Sequence, residues 1–181
     1  MVSTVLDANG NQTATLVASG SNRRAVTIDE IPKNLQHAFV AIEDERFYEH
    51  NGIDVTGIIR AGVKGVASGF HFSEGASTIT QQLLKNTVFT SWTSESSMAD
   101  KFERKFQEQY LALQLEKVVD KDWILENYLN TINLGSGCYG VQTAAQTYFG
   151  KDAKDLTLSE CAVLAAIPKA PTAYYPESFQ I

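Results

Sequence analysis

Leu35, Ala38, Phe39 and Ile42 recur at helical spacing behind Pro32, and the apolar stripe they form runs straight into Glu43-Asp44-Glu45. A repeat of this kind commits the segment to an amphipathic helix, because only that geometry gathers all four side chains on one face. Proline suits the first helical turn, whose N–H groups lack intrahelical partners in any case. The stripe predicts a helix over Pro32–Glu45, closed further on by Gly52. Glu43 follows the buried stripe at the last turn, so its carboxylate stands beside apolar walls, where a carboxyl group can act as general base or acid. Solvated surface acids would carry the same letters, and this segment alone does not separate the two.

Helical spacing also predicts helices near Asp54–Ser68, Thr78–Asn86, Phe102–Val118, Lys121–Ile132, Val141–Phe149 and Leu158–Ala166. Thr78 with Gln81, and Thr157 with Glu160, have capping-box spacing, and Pro168 is expected to end the last helix. Ahead of these, Val2, Thr4 and Leu6 alternate, residues 7–11 carry turn chemistry, and Thr13 to Val17 are rich in strand formers, which predicts a short hairpin. The fold class is mainly α. Thr87 to Glu103 is rich in Ser and Thr yet holds Phe89, Trp92 and Met98, and reads as a mobile loop with apolar beads. Those beads either tuck onto the core or meet a membrane surface.

A chain of 181 residues is long enough for one domain with a real core. Its net charge of -6 argues against a nucleic-acid partner, since phosphate backbones want a basic surface. A small anionic group can still be held locally by Lys85, Arg104 and Lys105. Cys138 and Cys161 show no metal-ligand spacing, so neither a zinc site nor a disulfide framework is indicated. No apolar run approaches the ~18 residues of a membrane span. Of three histidines, His50 is expected to brace its turn through hydrogen bonds rather than bind metal, and Asp44 to cap or orient.

The chemistry-bearing residues fall in four runs. After Glu43-Asp44-Glu45 comes Gly75 to Asn86, whose Ser77, Gln81, Gln82, Lys85 and Asn86 make a polar cradle that helix capping explains only in part. The third run, Arg104-Lys105-Phe106-Gln107-Glu108, puts Arg104 and Glu108 one helical turn apart and adds a second cation. The fourth, Lys121 to Asn130, presents Ile124, Leu125, Tyr128 and Leu129 as the face of a core helix.

In this order, and with Gly135 to Val141, Tyr148-Phe149-Gly150 and Pro168-Lys169-Ala170-Pro171, the runs resemble the peptidoglycan glycosyltransferase domain of class A penicillin-binding proteins and monofunctional transglycosylases, glycosyltransferase family 51. The match extends from roughly Ile31 to Pro176, and so many ordered motifs make chance agreement a poor explanation. The resemblance implies a lysozyme-like helical domain over 31–181, ending before the family's usual closing helix, with a hairpin and linker over 1–30 and a small mobile lobe at 87–103 beside the lipid. It implies polymerisation of lipid II, the lipid-linked disaccharide-peptide, into glycan strands with release of undecaprenyl pyrophosphate.

Within that resemblance Glu43 is the general base, and Glu108 the second glutamate, orienting cations or assisting the leaving group. Lys85, Arg104 and Lys105 match phosphate-contacting positions; Ser77, Gln81, Gln82 and Asn86 line the same cleft, and Lys169 is a further cleft cation. No cofactor is required. Mg or Mn could assist at the pyrophosphate, although the sequence has no dedicated ligand cluster. The expected partners are lipid II, the growing glycan chain, the membrane surface and a moenomycin-type phosphoglycolipid inhibitor. The expected location is the outer face of the bacterial cytoplasmic membrane, anchored by a transmembrane helix absent from this chain. Gln107 stands where some relatives have a basic residue, and Asn133 where some have tyrosine. A lysozyme-like hydrolase or lytic transglycosylase is the rival enzyme, but its chemistry needs no pyrophosphate cradle. A non-catalytic lipid II-binding module would not need Glu43 and Glu108.

Overall fold

The computed structural model describes residues 2–6, 12–17, 23–67, 77–88 and 98–169. The backbone opens with strands β1 (Val2–Leu6) and β2 (Gln12–Val17), which pair antiparallel. The expected turn between them, at 7–11, lies outside the described residues. Seven helices follow among the described residues: α1 (Lys33–Glu43), α2 (Val55–Ala67), α3 (Ile79–Thr87), α4 (Met98–Leu115), α5 (Lys121–Thr131), α6 (Val141–Phe149) and α7 (Leu158–Ala166). The domain is mainly α, as the periodicity predicts.

The core is built around α5, where Ile124, Leu125, Tyr128 and Leu129 are fully buried at the expected i, i+1, i+4, i+5 spacing. Helix α3 packs on α5 and α4, and α1 packs on α7. Leu35 and Phe39 of α1 are fully buried, while Ala38 and Ile42 pack at the edge of the same cluster. Phe39 meets the Tyr128 ring edge-on at 6.1 Å, a geometry worth about 0.5–1.5 kcal/mol beyond the burial itself. Side chains of α5 also tie down the segment entering α1. Asn130 accepts from the Val26 N–H and donates to its carbonyl, and Glu126 accepts from the Ile28 N–H at 2.7 Å.

Two expectations are corrected. Helix α1 is not stopped by glycine: it ends at Glu43, where Asp44 turns out of the helix with φ −159° and ψ 73°. Gly52 serves a different purpose, sitting at φ +92° so close to α4 that a Cβ there would lie 2.6 Å from the Ala112 carbonyl oxygen. The loop expected up to Glu103 is helical from Met98 onward, because α4 begins four residues before the predicted Phe102. Phe89 and Trp92 lie outside the described residues, as does the side chain of Met98. The last helix, α7, has the predicted bounds, stopping at Ala166 just before Pro168, and the chain leaves it through a 3-10 turn over Ile167–Lys169. Both capping boxes form as their spacing predicts. Among the described residues no helix is long and apolar enough to cross a membrane.

Candidate active site

Because α1 ends where Asp44 leaves the helix, Glu43 is delivered to the rim of the core rather than along an open helix face. Its Oε2 accepts a hydrogen bond from Gln82 Nε2 of α3 at 2.9 Å. Behind Gln82, the Tyr128 hydroxyl donates to Gln82 Oε1 at 3.2 Å. Burial, and then the carboxylates of Glu43 and Asp44, hold the Tyr128 phenol well above its ordinary value of 10.0, so it stays a neutral donor. Asp44 is buried and does two tasks. It caps α3 by accepting from the Ile79 N–H at 3.0 Å, and it holds His50, whose Nε2 lies 3.0 Å from both carboxylate oxygens. Since His50 Nδ1 accepts from the Gly52 N–H, Nε2 carries the proton that points at Asp44. His50 thus braces the turn, as expected.

The N-terminus of α3 is arranged by the predicted capping box. Thr78 Oγ1 accepts from the Gln81 N–H, and the Gln81 side-chain carbonyl accepts from the Thr78 N–H. The Thr78 hydroxyl in turn donates to the Gly52 carbonyl at 2.8 Å, which fixes α3 to the chain leaving Glu43. This leaves Gln81 Nε2 buried and, among the described residues, without a hydrogen-bond partner. A stranded buried donor costs about 1–3 kcal/mol, which favours any ligand that brings it an acceptor.

Helix α4 supplies the second carboxylate. The Glu108 side chain is 3% exposed, yet it is paired with two cations: Arg104 donates to Oε1 and the Lys105 ammonium lies 3.3 Å from Oε2. Lys105 also donates to Ser77 Oγ at 2.7 Å, which joins α4 to the residues preceding α3. Lys85, one turn beyond Gln81 on α3, is exposed.

These parts surround one pocket of about 230 Å³, lined by Glu43, Ser77, Gln81, Gln82, Lys85, Asn86 and Glu108. Every lining residue is one that the sequence nominates, and Arg104 and Lys105 join it through Glu108. Lys169 is not brought to this lining; it sits exposed at the end of the 3-10 turn after α7. The arrangement places a carboxylate with neutral partners and a cation-bound carboxylate around the same small volume.

A family model described as transglycosylase matches residues 9–180. The chain belongs to the transglycosylase family. Among relatives, it is 52% identical over 161 residues to penicillin-binding protein 1A of Clostridium perfringens (strain 13 / Type A), covering 87% of this chain and 23% of that protein. It is 49% identical over 175 residues to penicillin-binding protein 1F of Bacillus subtilis (strain 168), covering 96% of this chain and 23% of that protein. Penicillin-binding protein 1A of Clostridium acetobutylicum is 47% identical over 179 residues, or 97% and 22% of the two chains. This chain therefore spans less than a quarter of the length of the relatives it matches.

Two features of this transglycosylase domain escape the sequence reading. Tyr128 lies on the buried face of α5 as predicted, but its hydroxyl also reaches the pocket wall through Gln82. A tyrosine in a stripe otherwise made of Ile and Leu was the available signal, because a buried phenol needs a partner. The other feature is a brace behind α3. Thr80 Oγ1 donates to Glu116 Oε1 at 2.5 Å, Glu116 Oε2 pairs with Lys121 at 2.6 Å, and the Lys121 ammonium stands 4.4 Å over the Phe47 ring. No local sequence signal links residues 80, 116 and 121.

Proposed function

We propose that this domain is a peptidoglycan glycosyltransferase that polymerises lipid II, the lipid-linked disaccharide-peptide, into glycan strands for bacterial cell-wall synthesis. The observation that carries the reading is the pocket between α1, α3 and α4, where Glu43, whose hydrogen-bond partner among the described residues is an amide, shares the lining with Lys85 and with Glu108, which holds Arg104 and Lys105. Glycosyl transfer to a hydroxyl needs a base for the incoming proton and positive charge for the departing pyrophosphate.

In this mechanism the 4-hydroxyl oxygen of the acceptor sugar attacks the anomeric carbon of the donor chain. Its proton passes to Glu43, whose Oε2 is held by Gln82 while Oε1 makes no hydrogen bond among the described residues. The bond from the anomeric carbon to the pyrophosphate oxygen breaks, with inversion, and undecaprenyl pyrophosphate leaves with the electron pair. Lys85 acts on the pyrophosphate as a point charge and Arg104 as a planar fork. Glu108 acts on the leaving group through these cations, since its carboxylate fixes both Arg104 and Lys105. Ser77, Gln82 and Asn86 complete the polar lining, and the stranded amide of Gln81 suits a phosphate or sugar oxygen. Lys169 remains an outer cation of the same cleft.

No cofactor is needed for this step. Among the described residues no three His, Cys, Asp or Glu side chains converge on a point, so they form no protein cage for Mg or Mn. Any divalent ion would bind chiefly through the substrate's pyrophosphate oxygens.

The finer architecture we read as lysozyme-like, with a hairpin and linker over 1–30 and the glycosyltransferase domain from 31 onward; most of the lobe expected at 87–103 lies outside the described residues. We place the enzyme at the outer face of the cytoplasmic membrane, with the growing glycan chain and moenomycin-type phosphoglycolipids as further ligands. Support for a lipid surface comes from Val55, Ile59 and Val63, a row along α2, and from Phe106 and Tyr110 on α4, all exposed.

The test is glycan polymer formation from purified lipid-linked precursor in detergent, run beside digestion of finished peptidoglycan. Polymer from the precursor supports the reading. Cleavage of finished peptidoglycan without polymerisation would make the domain a lytic enzyme, and binding without either would make it a capture module.

A further inference from the structure

Glu43 and Gln82 in the pocket lining and Tyr128 behind them form a directional chain, and its direction is set by the carboxylate. An ionised carboxylate only accepts hydrogen bonds, so Glu43 Oε2 at 2.9 Å requires the amide nitrogen of Gln82. The Gln82 carbonyl oxygen is thereby turned toward α5, where it needs a donor, and the Tyr128 hydroxyl stands 3.2 Å away. Were the hydroxyl missing, the Glu43 carboxylate would still select this amide orientation, but the Gln82 carbonyl would lose its donor from α5 and the far end of the amide its anchor. The flipped form sets a carbonyl against the Glu43 carboxylate. The residues come from three helices, α1, α3 and α5, so the phenol reports the packing of the core to the carboxylate at the pocket.

Building on the reading of Glu43 as the general base, we propose that Tyr128 is a positioning residue for Glu43, acting through the side-chain amide of Gln82. Tyr128 is fully buried and does not line the pocket, so it reaches the substrate only through this relay. Gln82 is correspondingly a clamp on the base, with one face of its amide committed inside the protein. The relay fixes the free Glu43 oxygen where the acceptor hydroxyl must deliver its proton. Misplacing a reacting group by about 1 Å can cost on the order of 100-fold in rate, so a loosened clamp should be read in turnover more than in binding.

The variant that isolates the hydroxyl is Tyr128→Phe, which keeps the ring and its edge contact with Phe39. Steady-state polymerisation of lipid-linked precursor is measured for the wild type, Tyr128→Phe, Gln82→Met and the double variant, with Glu43→Gln run alongside and melting temperatures recorded. Tyr128→Phe is expected to lower kcat about tenfold with KM within twofold. In the Gln82→Met background the same change is expected to cost less than twofold, because the relay is already cut. Unchanged kcat in Tyr128→Phe, a loss confined to KM, or an equal loss in the Gln82→Met background overturns the relay. If Tyr128→Phe does not fold, Gln82→Met alone decides: lowered kcat at unchanged KM supports the clamp, and normal kcat removes it. An inactive Glu43→Gln beside a normal Tyr128→Phe defeats the relay alone, whereas a fully active Glu43→Gln defeats the assignment of the base and the relay with it.

Discussion

Glu43 and Glu108 line one pocket from opposite environments. Glu43 ends a helix, rests against the core, and receives its hydrogen bond from a neutral amide backed by a neutral phenol. Glu108 lies in mid-helix, is almost fully buried, and is occupied by Arg104 and Lys105. The same side chain thus takes a neutral amide as its partner in one place and two cations in the other. Pairs of carboxylates separated by environment in this way divide the labour of acid–base chemistry and charge organisation. What sets the environment is the neighbouring helix: α3 and α5 offer Glu43 amide and hydroxyl groups, while α4 surrounds Glu108 with its own cations one turn away.

The sharpest way to break this comparison is to remove the charge from each carboxylate in turn. Glu43→Gln should lower polymerisation by roughly 100- to 10,000-fold with precursor affinity nearly intact, as expected for a general base. Activity within tenfold of wild type would show that the neutral surroundings of Glu43 serve some other purpose. Glu108→Gln should cost about 10- to 100-fold in kcat/KM with KM rising, because two cations lose their common anchor and the site its phosphate register. If instead kcat alone falls while KM holds, Glu108 is the proton-transfer group and the two assignments exchange.

Gly52 joins the two walls, since its carbonyl takes the Thr78 hydroxyl of α3 and its Cα abuts the Ala112 carbonyl of α4. Gly52→Ala combines a left-handed φ with a 2.6 Å contact against backbone, and should destabilise the domain by about 2 kcal/mol or more. Thermal or urea unfolding measures this, and a neutral outcome would mean that α4 can shift without disturbing either carboxylate. The smallest effect is expected at Glu160, a third carboxylate remote from the pocket. Lys151, and then Thr157 at the cap of α7, hold it at about 2, below its ordinary 4.5. A depressed carboxylate contributes stability that is present above 4.5 and is lost as pH falls toward 2. Glu160→Gln should therefore flatten the acid limb of a stability profile in that window and leave catalysis alone. A profile unchanged by the substitution would assign the acid sensitivity to other groups.

The legibility of the pocket followed how its residues are spaced. Ser77, Gln81, Gln82, Lys85 and Asn86 sit within three helical turns, and Arg104 with Glu108 is an i, i+4 pair, so both groups could be nominated from letters alone. The helix stop at Asp44 could not. It depends on the Asp44 carboxylate reaching His50 and the N-terminus of α3, a contact spanning 35 positions. Glycine was the stronger local stop signal, and it proved to be reserved for the close approach to Ala112.

By itself the sequence determined that these helices exist, the capping boxes of α3 and α7, the buried stripes of α1 and α5, and the family, because periodicity and ordered motifs are local or linear properties of a chain. Only the tertiary structure decided that Glu43 is held by an amide backed by a phenol. It also decided that Lys169 stands apart from the lining and that Tyr128 belongs to the site as well as to the core. The reason is physical: a side chain's chemistry is set by the groups within about 3 Å of it, and here those groups come from helices 39 to 46 residues apart.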